Sequence, residues 1–103
     1  MNEAQYQAKL IKKLYRMFPG CVIEKSDPRD RQGVPDILIL YGPRWAKLEV
    51  KVSEKASRQP NQDYYVDLFN KMSYASMIYP ENEEAVLNEL QHALGSPREA
   101  RVS

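Results

Sequence analysis

Asp36, Glu49 and Lys51 are the residues whose types and spacing could do chemistry. Asp36 stands directly before the apolar run Ile37-Leu38-Ile39-Leu40, and the turn Gly42-Pro43-Arg44 leads into a segment over 45–52 that alternates. Leu48, Val50 and Val52 fall on one face of that segment and Lys47, Glu49 and Lys51 on the other, because strand side chains alternate with period two. Folding the two segments into a hairpin sets Asp36 across from Glu49 or Val50. Two carboxylates at close range repel unless a divalent cation sits between them. Mg²⁺ takes oxygen ligands and keeps several waters, and such an ion polarises a phosphodiester and supplies hydroxide at neutral pH. A neighbouring lysine orients that water or offsets charge growing on the phosphate. The plainer alternative is an exposed Glu-x-Lys pair on a strand and an aspartate that only shapes a turn after Pro35. The combination argues against it, since a buried strand is an odd place to begin with an unpaired charge.

The elements that must position these residues are legible from periodicity. Residues 3–18 read as a helix with Gln7, Leu10, Ile11, Leu14 and Phe18 in one stripe, stopped by Pro19-Gly20. Residues 21–25 form a short strand candidate and 26–33 a polar turn. Residues 35–41 are a strand whose unbroken apolar run implies burial on both faces. A second helix over 61–72 carries Tyr65, Phe69 and Met72 on its apolar side. Residues 75–79 are a last strand. Asn82 is placed to cap a third helix, with Glu83 and Glu84 at its positive end, Val86, Leu87, Leu90 and Leu94 inside, and Gly95 ending it. The order is α-β-β-β-α-β-α in one domain over 1–95, with 96–103 expected to be a flexible tail.

Composition narrows the classes. At 43% hydrophobic and 28% charged residues the chain is expected to bury one modest core. The longest apolar run is five residues, 37–41, far short of a membrane span. Lys9, Lys12 and Lys13 interrupt any secretory pattern at the start. The single cysteine, Cys21, excludes an internal disulfide and reads as a small core residue; a cytoplasmic setting is expected. The net charge of +1 hides an asymmetry: residues 1–58 sum to +5 and residues 59–103 to −4. A positive half suggests an anionic partner such as nucleic acid, although uneven surface sampling gives the same balance. Lys9, Lys12, Lys13 and Arg16 share the polar face of the first helix and could track a phosphate backbone, or be solvated. Lys25, Arg44, Lys47, Lys55 and Arg58 are further candidate DNA contacts. Trp45, Tyr64 and Tyr65 could stack on bases or join subunits. His92 has no second histidine or nearby cysteine to make a zinc site.

Gly33-Val34-Pro35-Asp36, the apolar strand and Glu49-Val50-Lys51 resemble the signature of the PD-(D/E)xK nucleases, and within them the VRR-NUC family of viral replication and repair nucleases. The resemblance covers about residues 3–90. It implies an α/β, restriction-endonuclease-like fold with a mixed sheet flanked by helices, plus a C-terminal helix. It implies a DNA endonuclease dependent on Mg²⁺, with Mn²⁺ able to substitute, in which Asp36, Glu49 and the Val50 backbone carbonyl hold metal and Lys51 is catalytic. Glu3 matches an acid in the first helix of many members and Gln62 a glutamine opening the second; Gln59 is a weaker match to that glutamine. Helix-start chemistry alone would also explain Glu3 and Gln62. The resemblance further implies branched or four-way junction DNA as substrate, a homodimer, and a phage or mobile-element setting, hence the host cytoplasm. The alternatives are a non-specific nickase of the same fold and a DNA-binding module without catalysis. In the turn after the second helix the chain reads Met72-Ser73-Tyr74-Ala75 where the family often has glycines.

Overall fold

The computed structural model describes residues 1–27, 29 and 32–95; the expected tail over 96–103 lies outside the described residues. Three helices and four strands follow in the order α1 (Glu3–Met17), β1 (Val22–Lys25), β2 (Ile37–Tyr41), β3 (Arg44–Val50), α2 (Gln62–Met72), β4 (Tyr74–Ile78) and α3 (Glu83–Leu94). The strands form one mixed sheet in the order β1-β2-β3-β4. β1 pairs with β2 and β2 with β3 antiparallel, and β4 joins β3 in parallel after the α2 crossover. This is the α/β class expected. Among the described residues no helix is long and apolar enough to cross a membrane.

The hairpin is tight because Gly42 takes a φ of 60° and Pro43 follows it, which leaves Tyr41 paired with Arg44 across two loop residues. That register then pairs Ile39 with Ala46 and Ile37 with Leu48. Ile37, Ile39, Tyr41, Ala46, Leu48 and Val50 form one buried face. Against it pack Tyr6, Leu10, Leu14 and Phe18 of α1 and Val86, Leu87, Leu90 and Leu94 of α3, with Phe18 meeting Tyr41 edge-on. α2 covers the other face, where Phe69 contacts Trp45 edge-on and the Lys47 ammonium lies 4.2 Å from the Phe69 ring centre.

Several expectations are corrected. β2 is not buried on both faces: Leu40 is 36% exposed, because α2 lies over β3 and β4 and leaves the β1–β2 half of its face open. β3 ends at Val50, so Val52 lies beyond the alternating strand. Met72 is 63% exposed and contributes little to the apolar side of α2. Asn82 precedes α3 but makes no side-chain cap; its Oδ1 accepts from the Tyr79 N–H and its Nδ2 donates to the Met77 carbonyl, tying α3 back to β4. Tyr6, outside the expected stripe, is buried with its hydroxyl donated to Glu83.

Candidate functional site

Extending the hairpin register by one pair sets Asp36 beside Glu49, on the sheet face that α2 covers. Asp36 is held from several directions. Pro35 before it is buried, the Ser26 hydroxyl donates to the Pro35 carbonyl at 2.7 Å, and the Ser26 N–H donates to the Asp36 carbonyl at 2.8 Å. The carboxylate itself accepts the Val50 N–H at 2.8 Å through Oδ2. The Val50 N–H thus anchors one acid while its neighbour Glu49 supplies the other.

Glu49 and Lys51 are almost wholly buried, at 2% and 6% exposure, and Gln62 is 8% exposed. Lys51 Nζ lies 3.8 Å from Glu49 Oε2 and donates to the Ser57 carbonyl at 3.1 Å. Gln62 Nε2 donates to the same Glu49 Oε2 at 3.0 Å. The orientation of that amide is fixed at its other end, where Gln62 Oε1 accepts the Gln59 N–H at 2.8 Å. Gln59 therefore enters through its backbone rather than its side chain. Both ties to Glu49 fall on Oε2, and its buried Oε1 receives no donor. Burial first, then the charge of Asp36 and a side-chain hydrogen bond to it, push the Glu49 carboxyl up to about 8 against the pull of Lys51, so the two acids share a proton at neutral pH; Glu3 adds a smaller push.

A buried carboxyl paired with a second carboxyl is, once the shared proton leaves, the donor set that an oxygen-seeking divalent cation would accept. Among the described residues no group of three or more His, Cys, Asp or Glu side chains could hold a metal. Two carboxylates nevertheless suit Mg²⁺, which is commonly held by one or two and keeps its waters.

Glu3 is exposed at the start of α1, and its charge reaches Glu49. Lys25 closes β1 opposite Ile37 and lines a cleft of about 290 Å³ with Glu24, Ser26, Asp27, Val34, Leu38 and Lys47. The register sets Leu38 and Lys47 one row along from Asp36 and Glu49 on the same face, so the cleft adjoins the acids. Glu24 and Ser26 carry no motif and were not singled out by sequence; alternation along β1 is the signal that places Glu24 there.

Of the expected DNA contacts, Lys25 and Lys47 line the cleft and the others do not. α1 packs on the sheet face opposite Glu49, so exposed Lys9, Lys12 and Arg16 lie away from the cleft. Lys13 is bound to Glu83, Arg58 to Asp63 at 2.7 Å, and Arg44 Nη1 reaches the Leu94 carbonyl at 3.4 Å. Lys55 is exposed on the loop after β3. Trp45 and Tyr65 both pack on Phe69, whereas Tyr64 is exposed and meets Tyr65 edge-on. His92 is an exposed helix residue whose ring Nδ1 pairs with the Asn88 carbonyl. No family model, curated protein or solved structure matches this chain.

Proposed function

We propose that this chain is a Mg²⁺-dependent DNA endonuclease of the PD-(D/E)xK type, hydrolysing phosphodiester bonds at the row formed by Asp36 and Glu49. The observation that carries the reading is the buried Glu49 Oε1, left without a donor next to the Asp36 carboxylate while Lys51 and Gln62 both engage Oε2. Two carboxyls this close share a proton when no cation lies between them, and a divalent cation is what would take that proton's place. The resemblance of Gly33–Asp36 and Glu49–Lys51 to the nuclease signature points the same way.

Asp36, clamped by the Val50 N–H, and Glu49, clamped by Gln62, would hold the cation. Bound Mg²⁺ would polarise the phosphodiester and lower the pKa of a coordinated water. Lys51 keeps its ammonium beside Glu49 through the Ser57 carbonyl and offsets negative charge on the phosphorane-like transition state. The adjoining cleft, lined by Val34 and Leu38 and by the charges of Lys25, Lys47, Glu24 and Asp27, would receive the nucleotide next to the scissile phosphate. Branched or four-way junction DNA is the substrate the resemblance favours, cut by a homodimer because two opposed strands need two sites.

The test is cleavage of linear, flapped, single-stranded and four-way DNAs with Mg²⁺, with Mn²⁺ and with chelator. Asp36→Asn and Lys51→Ala are expected to fold and to lose about 10²-fold or more of the activity. Cleavage of every substrate alike would favour a non-specific nickase. DNA binding with no metal-dependent cleavage would favour a binding module and overturn the enzyme reading.

A further inference from the structure

Two backbone conformations that side chains resist lie against each other beside this site. Gly33 has a φ of 90° and Asn61, the residue before α2, a φ of 71°. Asn61 makes no side-chain cap hydrogen bond, so nothing in ordinary helix-start chemistry compensates its left-handed backbone. The two segments touch closely. A Cβ placed on Gly33 would lie 2.8 Å from Asn61 Cβ, 2.9 Å from the Asn61 carbonyl carbon and 2.9 Å from the Pro60 carbonyl oxygen. Two of these atoms are backbone and cannot swing aside as a long side chain can. Gly20 supplies the contrast: its φ is also 90°, yet a Cβ there would meet nothing within 4 Å.

The contact links the two halves of the site. Three residues after Gly33 comes Asp36, anchored to β3 through the Val50 N–H. One residue after Asn61 comes Gln62, whose amide holds Glu49. We infer that Gly33 is a positioning residue: its bare backbone sets how deeply the start of α2 seats against the Asp36 segment. It thereby fixes the reach of Gln62 to Glu49 Oε2. Strained backbone persists where surrounding structure over-determines it, and such sites cluster around function. Here the strain at Asn61 aims Gln62 inward, which an unstrained helix start one residue away would not do. Adding one methyl group at Gly33 would push Pro60 and Asn61 outward and draw the Gln62 amide off the carboxylate.

The consequence for metal rests on the nuclease reading; the consequence for Gln62 does not. The experiment therefore reads both on wild type, Gly33→Ala, Gly20→Ala and Asn61→Gly. The first readout is the side-chain amide NMR signal of Gln62 without metal. The second is the rise in melting temperature during a Mg²⁺ titration. Gly33→Ala is expected to shift the Gln62 amide signal and to need about tenfold more Mg²⁺ for the same rise, the scale of loss when a metal ligand loses its support. Gly20→Ala, with the same φ and open space, is expected to lower the metal-free melting temperature while leaving both readouts as in wild type. Asn61→Gly relaxes the left-handed strain and removes one of the close atoms. It should be as stable as wild type or more so, yet bind Mg²⁺ more weakly, a split that a purely structural contact would not produce.

Wild-type Gln62 signals and a wild-type Mg²⁺ midpoint in Gly33→Ala would overturn the inference. Should Gly33→Ala fail to fold, Asn61→Gly decides by the same two readouts. If wild type itself shows no Mg²⁺ response while the Gln62 signal moves in Gly33→Ala, the positioning contact stands and the metal reading falls.

Discussion

Glu49 is held by two kinds of neighbour, and their balance defines the site. Lys51 favours its charged form and Gln62 holds it in place, whereas burial and Asp36 oppose ionisation, and the opposition prevails. Removing a holder should therefore be felt through metal. Gln62→Ala is expected to weaken Mg²⁺ binding about 10–100-fold, read by the melting shift, with a smaller change in stability without metal. A second titrating cluster lies on the far side of the molecule. Burial alone would raise Glu83, but the Lys13 ammonium and the Tyr6 hydroxyl outweigh it and hold the carboxyl below the ordinary glutamate range. A carboxyl lowered by folding stabilises the protein above its unfolded pKa, and that stabilisation is lost as pH falls through the folded value. Stability should thus decline in acid below the usual glutamate pKa, and Glu83→Gln should flatten part of that decline in a pH series of melting curves. The carboxylate pair could be read from sequence to within one residue, because a turn over 42–44 sets Asp36 across from Glu49 or Val50; the two-residue loop of the structure selects Glu49. The Ser57 and Gln59 backbone contacts could not, because irregular loop residues carry no periodicity from which to place them.

At the scale of elements, the helices and strands followed from hydrophobic spacing, and the four inward residues of α3 were all identified by it. Spacing says which residues share a face, but not what covers that face. Leu40 shows the gap: four consecutive apolar residues suggested a strand covered twice, but α2 is too far along the sheet to reach it. Substitution separates the two faces of β2. Ile39→Ala, in the fully buried layer, should cost about 2–5 kcal/mol by chemical denaturation. Leu40→Ala, on the half-open face, should cost less than about 1 kcal/mol. Tyr6 escaped the helical stripe for a different reason. A tyrosine buries its ring while its hydroxyl needs a partner, and here the partner lies 77 positions away in α3.

For the whole molecule, charge by halves suggested a polyanion partner, and the fold redistributes that charge. The α1 lysines lie on the face away from Glu49, and Lys13, Arg44 and Arg58 are engaged within the chain. Replacing Lys12 and Arg16 with glutamine should therefore change cleavage little, whereas Lys47→Gln at the cleft should reduce it in the same assay. One chain provides one pair of acids, so junction resolution requires two chains. Light scattering on junction-bound protein should give two copies per DNA, and a single copy would favour nicking instead.

The central claim is that Asp36 and Glu49 together hold a divalent cation. Substoichiometric Mn²⁺, followed by paramagnetic broadening of amide NMR signals, reads its location directly. Broadening should appear first at Asp36, Val50, Lys51 and Gln62 and vanish in Asp36→Asn. Broadening centred elsewhere, such as on Glu83 and Glu84 at the start of α3, or unchanged by Asp36→Asn, would contradict it.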